Sequence, residues 1–142
     1  MQTFLPAQSY FITARILDRQ RLGKQRVEAY QILRALRGES KGWVNHPATR
    51  MWRGYERALI AYTTVMCDEW TRRGYKDSIK DKVQQMFDEH ESYEQPWWMS
   101  KPELYRTHQS NLVRKSPEHY RMYFPQVPDD LPYYWPVTED NR

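Results

Sequence analysis

Residues 18–36 read DRQRLGKQRVEAYQILRAL, and this stretch decides the fold class because it predicts a long amphipathic helix. Its apolar residues recur at intervals of three and four, the spacing that places side chains on one face of a helix. The members of this stripe are Ala29, Ile32, Leu33 and Leu36. Gly38 follows the stripe and supplies a stop. We therefore predict a first helix over residues 18–36.

The same period predicts three more helices farther along the chain. A second helix is expected to begin after Asn45, with Pro47 in its first turn, and to continue to Arg73, where Gly74 ends it. A shorter third helix is predicted over residues 77–90, and a last one over residues 103–115.

Both ends of the chain are expected to be irregular. Residues 1–15 are predicted to form an N-terminal arm, extended to Tyr10, with Pro6 as a break and Ser9 as a nearby helix cap. Five prolines after residue 116 rule out a long helix there, so residues 116–142 are predicted to be an extended, aromatic-rich tail. With no strand-like alternation, the expected fold is all-α, a single domain of residues 1–142 with three to four helices.

The composition favours an anionic partner. The chain has 142 residues, enough for one core, and a formal net charge of +4. Its six tryptophans and eleven tyrosines can fill a core, and flat rings also stack on nucleic-acid bases. The single Cys67 excludes a disulfide framework or a cysteine zinc site, and the four histidines lack metal-ligand spacing, so no zinc site is expected.

The chain shows no secretory signal and no apolar run long enough to span a bilayer. We expect a soluble, cytoplasmic protein with no membrane partner.

Cations surround one glutamate at the start of the first predicted helix. Arg19, Arg21, Lys24 and Arg26 precede Glu28. One interpretation is a solvated helix face in which Lys24 and Glu28 form an ion pair worth about 0.2–0.5 kcal/mol. Further basic pairs lie on other predicted helices, and clefts between helices could gather them into one anion-binding site. These pairs are Arg50 with Arg53, Arg72 with Arg73, and Arg114 with Lys115.

The order of these residues resembles a known family. Gln20, Arg21 and Leu22, followed by Glu28 on a first helix, resemble the corresponding stretch of the phage pyrimidine-dimer DNA glycosylases of the endonuclease V type. Residues 67–75 are similar to that family's central helix and its basic, glycine and aromatic end.

Other segments extend this resemblance toward both ends of the chain. Residues 117–124 resemble the family's closing proline, paired aromatics and intervening cation. Residues 1–6, 21–28 and 108–110, together with Arg114 and Lys115, resemble a subgroup of small bacterial and phage proteins of unassigned activity.

The resemblance implies a DNA glycosylase that is also an abasic-site lyase and needs no cofactor. In that family the N-terminal α-amine is the nucleophile, and an α-amine is partly unprotonated near neutral pH, unlike an ordinary lysine. Glu28 would stabilise the developing positive charge on the sugar and then assist the proton transfers of β-elimination. Because Gln2 is bulky and normally leaves the initiator methionine in place, the reactive amine expected is that of Met1. Arg21 stands where the family has a histidine.

The expected partner is damaged double-stranded DNA, bound by a monomer. The predicted DNA-binding residues are Arg21, Lys24, Arg26, Arg50, Arg53, His108, Arg114, Lys115, Tyr120 and Arg121. His46 is interpreted as a cap or packing residue. Trp97 and Trp98 are interpreted as lids on the core, with walls for a flipped base as the alternative. Two other functions stay open: a glycosylase-like enzyme for another modified pyrimidine or nucleotide, and a non-catalytic DNA-binding module.

Overall fold

The computed structural model describes residues 1–137, and these residues form seven helices and no strand. The helices are α1 (Tyr10–Ile16), α2 (Arg19–Leu36), α3 (Pro47–Arg50), α4 (Glu56–Arg72), α5 (Ile79–Gln84), α6 (Pro102–Lys115) and α7 (Pro117–Tyr120), with one 3₁₀ turn at Trp97–Ser100. The all-α prediction is confirmed. The helix count exceeds the predicted three to four because the short helices α1, α3 and α7 were not predicted as separate elements.

The long helix α2 agrees with the prediction and organises the fold. Asp18 is its N-cap and accepts a hydrogen bond from the Arg21 backbone N–H at 3.4 Å. Leu22, Ile32 and Leu33 on its apolar face are fully buried. This face packs mainly against α4, and the pair forms the centre of the core.

A helix begins at Pro47 as predicted, but the second predicted helix is interrupted, so its predicted continuity to Arg73 was wrong. α3 ends at Arg50, a turn follows, and α4 begins at Glu56. Gly54 in this turn has φ +88°, a left-handed conformation that breaks an α-helix and suits glycine. Trp52 and Tyr55, which continue the helical spacing in the sequence, therefore lie in this turn, where Trp52 is buried and Tyr55 is half-buried.

The N-terminal arm is also partly helical, which corrects the expectation of an arm over residues 1–15. α1 begins at Tyr10, and the predicted cap is confirmed because the Ser9 hydroxyl accepts from the Ile12 N–H at 3.1 Å. α1 packs on α4 and buries Thr13 and Ala14, and this contact explains why the segment folds into a helix.

The later helices lie where they were predicted, and only α5 is clearly shorter than expected. α5 covers only part of the predicted residues 77–90, whereas α6 agrees closely with the predicted last helix. The tail contains the short helix α7 and is otherwise irregular up to residue 137. Residues 138–142 of the predicted tail lie outside the described residues.

Aromatic side chains fill much of the core. The largest fully buried side chains are Trp52, Tyr62, Trp98 and Tyr120. The Trp98 indole N–H donates to the Met51 carbonyl at 2.8 Å, so its polar atom is satisfied. Trp97 is 38% exposed beside it.

Within residues 1–137, no helix combines the length and the apolar character that crossing a bilayer would require.

Candidate active site

Residues 2–6 form an extended segment that is buried, and side chains from distant elements bind its backbone. The Phe4 N–H donates to Gln25 Oε1 at 2.7 Å, and the Leu5 N–H donates to His108 Nδ1 at 2.8 Å. No neighbouring strand is present in residues 1–137, so these side chains satisfy the backbone donors that burial would otherwise leave unpaired.

Further bonds hold the same segment from other sides. The Trp52 indole N–H donates to Thr3 Oγ1 at 2.9 Å, and the Tyr62 hydroxyl donates to the Phe4 carbonyl at 2.8 Å. The Gln109 amide donates to the Pro6 carbonyl at 2.8 Å. The start of the chain is therefore fixed against α2, α4 and α6.

This attachment brings the chain start to Glu28. The Gln2 backbone N–H donates to Glu28 Oε2 at 3.2 Å. The ion pairs of α2 involve Arg21, Arg26 and Arg34, and in the described part of the chain Glu28 does not pair with Lys24. The expected ion pair between Lys24 and Glu28 is therefore absent, and the Glu28 carboxylate is not neutralised by a direct cation contact.

Glu28 lies in a cleft of about 370 Å³ between α2, the chain start and the tail. Its lining residues are Met1, Gln2, Phe4, Gln20, Arg21, Lys24, Gln25, Glu28, Lys115 and Tyr133. Three side-chain cations and one carboxylate thus face the same space, a composition that suits an anionic ligand.

Arg21 is fixed at the cleft wall by two contacts. Its guanidinium pairs with Asp18 Oδ1 at 3.2 Å and donates to Ser116 Oγ at 3.2 Å. Burial raises the pKa of Asp18, but hydrogen bonds from the Tyr120 hydroxyl and from Arg21 outweigh it and hold this pKa below its usual value. The carboxylate stays ionised and keeps Arg21 in place.

Comparison with known proteins identifies the family. The family model for pyrimidine dimer DNA glycosylase matches residues 1–83, more than half of the chain. The chain belongs to this family. No curated protein and no solved structure was found to match it. The matched part of this glycosylase-family chain contains Met1, Gln2, Arg21, Lys24 and Glu28, whereas Lys115 and Tyr133 come from outside it.

Several predicted DNA-binding cations lie outside the cleft of this family member. Arg26 pairs with Asp77 and lies over the Trp70 ring, with its charge centre 4.4 Å from the ring centre. Arg53 donates to the Val44 carbonyl and Arg121 to the Val127 carbonyl. Arg114 donates to the Asp129 carbonyl and to the Asn111 side-chain oxygen. Arg50 is half-buried on α3.

The basic pair Arg72 and Arg73 has a structural role. Both guanidiniums donate to the buried Glu69 carboxylate, at 2.7 and 2.8 Å. Arg73 also donates to the Leu17 carbonyl at 2.7 Å and so ties the end of α1 to α4.

Two predicted site residues are interior in this structure. His108 has no exposed surface, and burial lowers its pKa to about 3. Tyr120 is fully buried, and its hydroxyl binds the Asp18 carboxylate. Neither side chain reaches a surface where a phosphate could contact it, so both act by supporting the site.

His46 is the N-cap of α3, as its interpretation as a capping residue predicted. Its Nδ1 accepts from the Ala48 N–H at 3.0 Å, and its ring lies edge-on to those of Trp43 and Trp135. Within residues 1–137, no group of three His, Cys, Asp or Glu side chains is arranged to hold a metal ion.

Sequence reasoning missed Gln25 and Tyr133 as site residues. Gln25 is buried and accepts from both the Phe4 N–H and the Tyr62 hydroxyl. Gln25 lies between Arg21 and Glu28 on one face of the helix, and a polar side chain at that place could have indicated a site residue. Tyr133 had no such signal, because its place in the cleft depends on the path of an irregular tail.

Proposed function

We propose that this family member excises damaged pyrimidines from duplex DNA and then cleaves the abasic strand, with the Met1 α-amine as nucleophile and Glu28 as the acid–base group. The observation that carries the proposal is the docking of the chain start beside Glu28, with the Gln2 N–H 3.2 Å from the carboxylate, in a cleft lined by cations. Family membership supports a glycosylase of the pyrimidine-dimer type, and the lyase step is our inference from the site.

The chemistry needs an amine and a carboxylate on the same side of a sugar. The amine attacks C1′ of the nucleotide, the bond from C1′ to the base breaks, and the base leaves with that electron pair. The ring opens to an imine, a proton is lost from C2′, and the 3′ phosphate leaves by β-elimination. Glu28 stabilises the positive charge at C1′ and accepts or returns the protons.

The cleft cations bind the phosphates on either side of that sugar. Arg21 presents a fixed guanidinium for bidentate binding, and Lys24 adds a flexible charge on the exposed face of α2. Arg50, Arg53, Arg114 and Arg121 remain proposed phosphate contacts farther along the duplex. Arg26, His108 and Tyr120 are not retained, because the first lies outside the cleft against Asp77 and Trp70 and the others are interior.

The position of the reactive amine distinguishes two forms of this mechanism. Glu28 contacts the nitrogen of residue 2, so a chain that keeps Met1 presents its amine one residue beyond the carboxylate. A chain without Met1 would present a free Gln2 amine directly to Glu28. Mass spectrometry of the active protein decides between these two forms.

Borohydride trapping tests the proposal. The full chain is incubated with duplex DNA carrying either a pyrimidine dimer or an abasic site, and borohydride reduces any imine to a stable adduct. We expect an adduct with both substrates, and we expect Glu28→Gln to lose it while retaining DNA affinity. Glu103→Gln, an exposed change on α6 outside the cleft, is the matched control and should trap normally.

The alternatives give different results in the same assay. DNA binding with no adduct on either substrate would contradict the enzyme and leave a non-catalytic binding module. Trapping on abasic DNA without excision of the dimer would contradict the dimer as substrate and favour another modified pyrimidine.

A further inference from the structure

Among the cations that line the cleft in the described residues, Lys115 is the one whose side chain contacts aromatic rings. It is the last residue of α6, and its Nζ donates to the Tyr133 hydroxyl at 3.2 Å. The same Nζ lies 5.4 Å from the centre of the Phe4 ring and 5.7 Å from that of Tyr133. In the described structure, no carboxylate lies within ion-pair distance of it. The ammonium therefore lacks the partner that would stabilise its charge most.

The burial of Lys115 and the charges near it make its ammonium easier to deprotonate. Partial burial lowers the pKa of the Lys115 ammonium, and the nearby Arg21, Arg114 and Lys24 charges lower it further, while Glu28 alone opposes them. Lysine side chains are known to become nucleophiles by desolvation or beside other cations. Since the residue is still exposed, a substrate aldehyde can reach it.

We propose that Lys115 is a second amine nucleophile of the cleft, which forms an imine with the aldehyde of an abasic site. This inference rests on the proposed function, because the abasic sugar is the product of base excision. It places a second imine-forming amine, able to cleave the strand at an abasic site, outside the family-matched residues 1–83. The Tyr133 hydroxyl and the Phe4 ring position the amine at the cleft wall.

The step balances without an added reactant. The neutral Nζ attacks C1′ of the open-chain sugar, the carbonyl oxygen takes a proton, and loss of water gives a protonated imine. Removal of a C2′ proton then expels the 3′ phosphate with the electron pair of its C3′–O bond. Glu28, in the same cleft, is the base available for that proton.

Other lysines do not share this combination of features. Lys24 lines the cleft and is exposed, without an aromatic contact of this kind. Lys82 lies 5.9 Å from the Tyr30 ring centre, but it is on α5 and does not line the cleft. Lys82→Arg is therefore a matched control, since it changes a lysine in a similar aromatic contact.

Peptide mapping of the trapped adduct tests the inference. Wild-type full-length protein is trapped on duplex DNA with one abasic site, digested, and the modified peptide is identified by mass spectrometry. We expect an adduct on Lys115 beside the one on the N-terminal amine, and we expect only the Lys115 adduct to be lost in Lys115→Arg, which keeps the charge but cannot form this imine. Lys82→Arg should keep the adduct. Equal melting temperature and DNA affinity of Lys115→Arg and wild type would exclude a structural cause.

The two proposals fail in different ways. An adduct found only on the N-terminal amine overturns the role of Lys115 and supports the proposed function. An adduct on Lys115 in protein whose N-terminal amine is chemically blocked supports the inference. No adduct on any residue overturns both. Because the mapping uses wild-type protein, it decides the question even if the variant fails to fold.

Discussion

His108 shows how one buried side chain controls the placement of the chain start. Its Nδ1 accepts from the Leu5 N–H, so the bond requires a neutral ring. Burial lowers the pKa of His108 to about 3 in the folded protein, whereas an unfolded chain titrates near 6.5. Between these values the unfolded state binds one more proton, so stability is lost as pH falls from about 6.5 toward 3.

We therefore predict that His108→Asn flattens the dependence of stability on pH. The amide keeps an acceptor near the Leu5 N–H but does not titrate in this range. Urea unfolding from pH 7 to pH 4 should show a wild-type slope steeper by up to about 1.4 kcal/mol per pH unit. His90→Asn, whose wild-type side chain is 87% exposed, is the control and should keep the wild-type slope. Parallel curves for His108→Asn and wild type would contradict the prediction.

The packing of α2 on α4 depends on a glycine in the middle of a helix. Gly23 lies against the Trp70 indole, and a Cβ added there would be 3.0 Å from Trp70 Cη2 and 3.1 Å from Cζ3. The indole has little freedom to move, since its N–H donates to the Lys76 carbonyl at 2.9 Å and its ring stacks on Tyr75. The glycine lets the Trp70 ring pack closely against α2, and a side chain at this position would prevent that contact.

In an exposed helix interior, a change from glycine to alanine raises stability by about 1 kcal/mol, but Gly23→Ala should not give this increase. We expect a net loss of stability, measured as the free energy of unfolding in urea. Replacing the ring removes the clash, so Gly23→Ala combined with Trp70→Leu should be more stable than Trp70→Leu alone. A stabilising Gly23→Ala in the wild-type background would show that the two helices can separate at no cost.

Helix period predicted the long elements well and the short ones poorly. The bounds of α2 and α6 follow from continuous apolar stripes and clear stops. The break before α4 depends on the backbone of Gly54, and α1 depends on its packing against α4, neither of which a local pattern reveals. Contacts between residues that are distant in sequence determine the structure of such segments.

The distribution of charge over the molecule determines how strongly salt should affect DNA binding. Many arginines are occupied by internal carboxylates or carbonyls, as in the groups around Glu69 and Asp77. At the cleft, Lys24 and Lys115 form no ion pair within residues 1–137, and they lie beside Arg21, which pairs with Asp18. Phosphate contacts there release counterions from the duplex.

Log affinity falls as log salt concentration rises, and we predict that Lys24→Gln makes this fall less steep. The slope should change by about 0.9, the value for one phosphate contact on duplex DNA. Titrations of abasic duplex at several salt concentrations measure this slope. Lys41→Gln changes an exposed lysine outside the cleft and should leave the slope unchanged. An unchanged slope for Lys24→Gln would remove Lys24 from the proposed DNA contacts.

Part of the candidate site could be predicted from sequence because it lies on one helix. Arg21, Lys24 and Glu28 follow helical spacing, so their shared face is visible in the sequence. Lys115 was predicted to contact DNA, but its aromatic surroundings were not, since Phe4 and Tyr133 lie more than a hundred residues apart. Such pairings depend on the path of irregular segments that no periodic pattern describes.

The bonds that hold residues 2–6 also set an order of events during synthesis. Two of its partners, His108 and Gln109, are translated about a hundred residues after it. Contacts between such distant residues form slowly, because a long loop must close first. A nascent chain therefore carries residues 2–6 without these two partners until α6 has been made, and only then is the cleft beside Glu28 completed.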